Sequence, residues 1–81
     1  MKLFVTGLPD HYDKAMLIRL FAPYGYVNFA KVGFDSIKMR SARKGTVEMQ
    51  DEKQAEYAIK HLQGKNIGGN TPLHIKAMKQ D

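Results

Sequence analysis

The periodicity of the apolar residues constrains the fold of this chain more than any other feature of the sequence. Four short segments alternate apolar and polar side chains, as half-buried strands do, and two longer segments repeat apolar residues at helical spacing. In chain order these segments are KLFVT (2–6), DHYDKAMLIRLFAPYG (10–25), VNFAKVGF (27–34), GTVEMQ (45–50), a helix from Asp51 to the residue before Gly64, and LHIKAM (73–78). The order βαββαβ predicts an α+β fold in which two helices cover one face of an antiparallel sheet. The other face of the sheet then stays open to solvent.

Local signals define the ends of both helices. Asp13 and Asp51 are placed to act as N-caps, because a carboxylate at that position accepts hydrogen bonds from the first free backbone N–H groups. Pro23 and Gly25 are expected to end the first helix, and Gly64 is expected to end the second.

The alternation also assigns each strand residue to a face, because successive side chains of a strand point to opposite sides. The side chains expected to point toward the helices are Leu3, Val5, Val47, Met49, Leu73 and Ile75. If Ala30 and Val32 also face the core, the open face carries Phe4, Thr6, Phe29, Lys31, Lys44, Thr46, Glu48, His74 and Lys76. Exposed rings among cations are typical of a surface on which unpaired bases stack.

The composition limits the class of protein. Eighty-one residues fit a single domain spanning 1–81. The absence of cysteine excludes disulfide scaffolds and thiolate metal sites, and it fits an intracellular protein, whether nuclear or cytoplasmic. No segment reaches membrane-spanning length, and the apolar run at the N-terminus is too short for a signal sequence. Thirteen basic residues against eight acidic ones give a net charge of +5, which favours an anionic partner.

With these segments in place, the chain resembles an RNA recognition motif domain along nearly its whole length. The matching stretches are LFVTGL (3–8), FAPYGYV (21–27) and DEKQAEYAIKHLQGKNIGG (51–69), with Gly7 where the family usually has Asn. The resemblance implies a ferredoxin-like sandwich with the four strands in the spatial order 4-1-3-2. It also implies that single-stranded RNA, and sometimes DNA, binds on the open face of the sheet.

The stretch ARKGTVEM (42–49) departs from the family pattern. The family's eight-residue motif begins with a basic residue and has aromatic rings at its third and fifth positions. Here those positions hold Ala42, Lys44 and Thr46, whereas the first-strand ring is kept as Phe4. The expectation is therefore one firm base stack, modest affinity and weak sequence preference, with charge contributing more of the binding than in a ring-rich member.

A basic cluster precedes the third strand in sequence. Lys38, Arg40, Arg43 and Lys44 are predicted to lie on a polar connection from 35 to 44, with no acid near them, and to contact phosphates. The alternative is a solvated loop. Lys31 and Lys76 are expected either to contact phosphates or to keep the sheet soluble, and His74 either to stack on a base or to donate a hydrogen bond.

Other interpretations compete with these roles. The alternative for Phe4 is an ordinary half-exposed strand residue, and a one-residue slip of the second strand would bury Phe29. Glu48 is expected to pair with a neighbouring lysine rather than to read a base. His11 and His61 lack ligand neighbours at metal-binding spacing, so neither a metal nor another cofactor is predicted.

Three function classes follow from this pattern. The leading hypothesis is a monomeric module that binds single-stranded RNA, with single-stranded DNA as a related ligand and without membrane association. The second hypothesis is protein recognition, through the sheet or through Met16 and Ile18 on the first helix. An enzyme on the same scaffold is not expected, because GLPDHYDK (7–14) lacks the arginine with which small phosphate-ester hydrolases of this topology hold their substrate, and no nucleophile–base set is visible.

Overall fold

The chain forms one antiparallel sheet of four strands with two helices packed against one face. The computed structural model describes residues 1–35, 37, 40–69 and 71–78, and only the backbone of residues 34, 35 and 40–42. The elements are β1 (Lys2–Thr6), α1 (Lys14–Phe21), a single 3-10 turn (Ala22–Tyr24), β2 (Val27–Asp35), β3 (Arg40–Met49), α2 (Glu52–Leu62) and β4 (His74–Met78). The strands lie in the order β2-β3-β1-β4, which is the predicted order 4-1-3-2. The predicted fold class is confirmed.

The helices begin and end where the local signals predict. Asp13 accepts a hydrogen bond from the backbone N–H of Met16 at 2.8 Å, and Asp51 accepts one from Gln54 at 3.1 Å. Each carboxylate therefore satisfies a donor that the first helical turn leaves free. Gly64, just beyond α2, has a φ of +78°, a left-handed conformation that favours glycine.

The core lies between the helices and the inner face of the sheet. Its buried apolar residues are Leu3, Val5, Leu8, Leu17, Phe21, Ala30, Val47, Met49, Ala55, Ala58, Leu62, Leu73 and Ile75. A Cβ at Gly45 would stand 2.9 Å from Leu17 Cδ2 and 2.8 Å from the carbonyl oxygen of Lys31. Glycine at this position therefore lets α1 lie close against β3.

The third strand begins earlier than predicted. The sequence assigns 35–44 to a polar connection, but β3 starts at Arg40, which pairs with Asp35 of β2. Between the pairs Val32–Gly45 and Phe34–Ser41 the register advances two residues on β2 and four on β3. This bulge interrupts the period of two on which the strand prediction depends, so the polar segment gave no strand signal although it pairs with β2.

Candidate nucleic-acid interface

The face of the sheet opposite the core carries its outward side chains in three transverse rows. The antiparallel register places outward residues of neighbouring strands opposite one another, and opposed residues have Cβ atoms about 4.5–5.5 Å apart. We name the rows after Phe4, Phe29 and His74. All nine side chains predicted for this face lie on it.

The Phe4 row crosses the middle of the sheet. It runs from Lys31 on β2 through Thr46 on β3 and Phe4 on β1 to Lys76 on β4. Phe4 is half-buried, and both lysines are exposed. The row therefore presents one accessible ring at its centre and a cation on each outer strand, which is an arrangement suited to a stacked base and its flanking phosphates.

The Phe29 row lies at one end of the open face. Phe29 on β2 is opposite Glu48 on β3, Glu48 is opposite Lys2 on β1, and Lys2 is opposite Met78 on β4. Phe29 is 49% exposed and Met78 is 41% exposed. The sequence interpretation missed Lys2 and Met78 as members of this face. Lys2 is two residues from Phe4, and Met78 is two residues from Lys76, so the alternation of side chains along each strand already places both on this face.

A β-bulge sets the direction of the Phe29 ring. Val27 pairs with Met49, but Phe29 pairs with Glu48, so Asn28 is an extra residue in β2. As a result Val27 and Ala30 both pack toward the core, although they are an odd number of residues apart, and Asn28 and Phe29 are both exposed. The bulge thus allows β2 to bury Val27 without turning Phe29 inward.

The His74 row lies at the other end of the open face. Lys44 on β3 is opposite Thr6 on β1, and Thr6 is opposite His74 on β4. The Thr6 hydroxyl donates a hydrogen bond of 3.3 Å to the His74 carbonyl oxygen. The lysine and the imidazole remain exposed. The three residues described for this row offer polar and cationic groups but no ring of Phe, Tyr or Trp.

The basic cluster is organised differently from the sequence interpretation. Lys38 lies outside the described residues, and so does the side chain of Arg40, whose backbone belongs to β3 rather than to a loop. Arg43 has a φ of +61° in the bulge, and its carbonyl oxygen accepts a hydrogen bond of 3.1 Å from the N–H of Leu8. The expectation that no acid lies near these cations is wrong for Arg43.

The acid beside Arg43 is Asp10, in the connection between β1 and α1. The Arg43 guanidinium binds both Asp10 carboxylate oxygens, through Nε and through Nη2, with the latter contact at 3.3 Å. The two residues border an open depression of about 160 Å³ that Gly68 and Gly69 also line. Thirty-three positions separate Arg43 from Asp10 in the chain, so only tertiary folding shows that this charge has a partner.

Charge on the open face is mostly positive. Among the side chains that the structure describes, Lys2, Lys31, Lys44 and Lys76 point to it, together with the carboxylate of Glu48. Within the described part of the chain, no ion pair forms among these five side chains. Four ammonium groups on one exposed face create a positive potential that attracts the phosphates of a nucleic acid.

Among the described residues, no three His, Cys, Asp or Glu side chains come together in a way that could hold a metal ion. The helices in the described ranges are also too short or too polar to cross a membrane.

Comparison with known proteins identifies this architecture. Residues 3–73 match the model of the RNA recognition motif family. The chain is 36% identical over 77 residues to the chloroplastic RNA-binding protein CP29B of Arabidopsis thaliana, an alignment that covers 95% of this chain and 26% of that protein. It therefore spans about a quarter of the length of that relative.

Solved structures agree with the sequence match. The crystal structure of RNA-binding protein PG1 superposes with a TM-score of 0.87 at 33% identity, covering 100% of this chain and 98% of that one. A Sxl-lethal protein/RNA complex superposes with a TM-score of 0.84 at 26% identity, covering 93% of this chain and 46% of that one. The chain belongs to the RNA recognition motif family.

Proposed function

We propose that this chain is a binding module for single-stranded RNA, with single-stranded DNA as a related ligand, and that the open face of the sheet is the binding surface. The observation that carries the proposal is the Phe4 row, in which an accessible ring lies between lysines on the two outer strands. The names of relatives and structural neighbours, an RNA-binding protein and a protein/RNA complex, support the same ligand class.

Stacking on Phe4 supplies one anchoring contact in this proposal. Base–aromatic stacking is worth about 1–3 kcal/mol and tolerates any base, because every base has a π face. Lys44 and Thr46 stand where ring-rich members of the family place aromatic residues, so β3 adds no second stack. The consequence is modest affinity with weak sequence preference at most positions.

Phe29 supplies a second ring at a distance from the first. The two residues lie two strands apart and one row apart, which corresponds to about 12 Å from the usual strand spacing and rise. Successive bases along one strand of a duplex are about 3.4 Å apart. A strand that contacts both rings must therefore be extended, with the bases splayed away from each other, as in single-stranded recognition.

Cations on the open face supply the remaining attraction. Lys76 is opposite Phe4 on β4, Lys31 lies beyond Thr46 on β2, and Lys44 is one row away on β3. In the sequence, Lys38, Arg40 and Arg43 extend the basic character along the β2–β3 hairpin. Thr6, Thr46 and His74 add polar groups within the same surface. Contacts to phosphate carry no base identity, so these residues strengthen binding to all sequences alike.

Amide shift mapping with a short single-stranded RNA tests the proposal. Titration should perturb Phe4, Lys31, Thr46, His74 and Lys76, and duplex DNA should compete poorly because its bases are not free to stack on a ring. Shifts confined to α1, around Met16 and Ile18, with none on the sheet would contradict the proposal and favour protein recognition.

The alternative of a protein-binding module has one supporting observation on the helical side. Tyr24, Tyr57 and His61 form a ring cluster with centroids 4.3–5.7 Å apart, and Tyr57 is 52% exposed. Ile18, one of the two residues that the sequence suggested for such a contact, instead packs against the core.

The RNA-binding proposal also includes a single monomeric domain over 1–81, no enzymatic activity and an intracellular location.

A further inference from the structure

We propose that Glu48 makes one position of the bound strand selective for guanine, an inference that rests on the proposed RNA-binding function. Guanine carries two adjacent N–H donors on its Watson–Crick edge, at N1 and at the exocyclic N2. A carboxylate carries two acceptor oxygens and, when ionised, no donor. Two parallel N–H···O bonds are the pairing that these groups favour.

The surroundings of Glu48 are the first reason for this role. Its neighbours across the strands are Phe29 on one side and Lys2 on the other. Phe29 is 49% exposed, so a base can lie on its ring. A base stacked there, about 3.5 Å above the ring atoms, brings its edge toward the adjacent Glu48 side chain.

The free carboxylate is the second reason. The sequence predicts that Glu48 pairs with a neighbouring lysine, but among the described residues its side chain forms no hydrogen bond and no ion pair, although Lys2 is directly opposite. A carboxylate among four lysines on this face repels the phosphates that the lysines attract. It can contribute favourably to RNA binding only by accepting hydrogen bonds, from base N–H groups or from a ribose 2′-hydroxyl. A 2′-hydroxyl offers one donor, whereas guanine offers two adjacent donors that match the two carboxylate oxygens.

Base chemistry decides which base is preferred. Cytosine and adenine each offer one exocyclic amine beside ring acceptors, so they can donate one hydrogen bond to Glu48. Uracil offers a single N3–H between two carbonyl oxygens, and both oxygens repel a carboxylate. The expected order is guanine first, cytosine and adenine next, and uracil last. Because Glu48 is only partly buried, the expected preference for guanine over uracil is about fivefold to tenfold, at the low end for a bidentate base contact.

Fluorescence polarisation with labelled octanucleotides tests the inference. The probes are an all-uracil strand and strands with one central guanine, inosine, cytosine or adenine. The parent chain should bind the guanine strand about five to ten times more tightly than the all-uracil strand. Inosine lacks the exocyclic amine, so its advantage over uracil should fall to about that of cytosine.

The variant Glu48→Gln separates base reading from charge. It should lose the preference for guanine, so that the ratio of the two affinities falls below about two, while affinity for the all-uracil strand holds or rises because one phosphate-repelling charge is gone. Glu56→Gln is the matched control, since Glu56 is exposed on α2 and the substitution changes the net charge equally. It should keep the parent ratio.

The outcomes distinguish this inference from the proposed function. A parent chain that binds none of the strands contradicts the RNA-binding function itself. A parent that binds all strands equally leaves that function standing and overturns the role of Glu48. A guanine preference that survives in a folded Glu48→Gln variant, verified by its amide spectrum, also overturns it and assigns the preference to another group.

Discussion

Leu3 and Phe4 are neighbours in β1, but they belong to regions of the molecule with different physical roles. Leu3 is fully buried beneath the helices, whereas Phe4 lies half-buried on the open face. The same contrast holds along β3, where Val47 is buried and Thr46 and Glu48 are not. Because a strand alternates its faces, one sequence specifies the core and the open face independently. The outer face can exchange rings for Lys44 and Thr46 while the inner face keeps the fold.

The largest effect expected is on the inner face. Leu3→Ala should lower the free energy of unfolding by about 2–5 kcal/mol, because it removes buried methyl groups and leaves a cavity. Phe4→Ala, one residue away, should change it by less than about 1 kcal/mol. Urea denaturation of both variants measures the difference. Equal destabilisation by the two substitutions would show that the faces are not independent.

The second effect expected is on RNA affinity, and here the substitution on the open face is the one that should matter. Phe4→Ala should weaken binding of a short single-stranded RNA by about 1–3 kcal/mol, because it removes the central stacking ring. Tyr57→Ala is the matched control, since it removes an exposed ring from α2 instead of from the sheet. Titration monitored by fluorescence polarisation compares the two. Unchanged affinity in a folded Phe4→Ala variant would remove the Phe4 row from the proposed surface.

Aromatic rings introduced on β3 distinguish stacking from charge as the source of affinity. Lys44→Phe combined with Thr46→Phe should strengthen RNA binding by about 1–3 kcal/mol, because a further base can then stack beside Phe4. The gain should persist at high salt, since stacking releases few counterions. Affinities of the parent and of the double variant at several salt concentrations give the result. A gain that disappears as salt rises would contradict a stacking origin.

Charge on the outer face should appear in the salt dependence of binding. Three to five phosphate contacts give a slope of about −2 to −3.5 for log affinity against log salt on a single strand. Replacing Lys31, Lys44 and Lys76 by Ala should make the slope shallower by about 2. The control replaces Lys53, Lys60 and Lys65, which are exposed on α2 and just after it, and should keep the parent slope. Equal slopes for the two triple variants would mean that general net charge, rather than the open face, attracts the RNA.

The smallest effect concerns the ion pair at the edge of the sheet. Asp10→Asn should cost less than about 1 kcal/mol of stability, because both partners of the pair are partly exposed. It releases Arg43 from its carboxylate partner, and one added phosphate contact should steepen the salt slope by about 0.7. Denaturation and salt titration of this variant measure both effects. A shallower slope would indicate that Asp10 holds Arg43 in a position that RNA requires.

Much of the open face was predictable because its pattern is local. The alternation in KLFVT places Leu3 in the core and Phe4 outside, and the structure confirms both positions. The N-caps at Asp13 and Asp51 were predictable for the same reason, since a cap depends on residues three positions apart. That these positions bind RNA stays a prediction.

What the sequence did not reveal depends on pairing between distant residues. The early start of β3 at Arg40 depends on hydrogen bonds to β2, and the bulge conceals the alternation there. The contact between Arg43 and Asp10 depends on how the β1–α1 connection lies against the edge of β3.

By itself, the sequence determined the order of the elements, the face to which most strand residues point and the basic character of this protein. These properties depend only on the order and the charge of residues that are close together in the chain. Only the tertiary structure decided which outward residues stand side by side, because register is set by cross-strand hydrogen bonds and by bulges. The extra residue Asn28 places Phe29 opposite Glu48, and β1 then places Lys2 on the other side of that carboxylate. No local pattern joins these three residues, since they come from three strands.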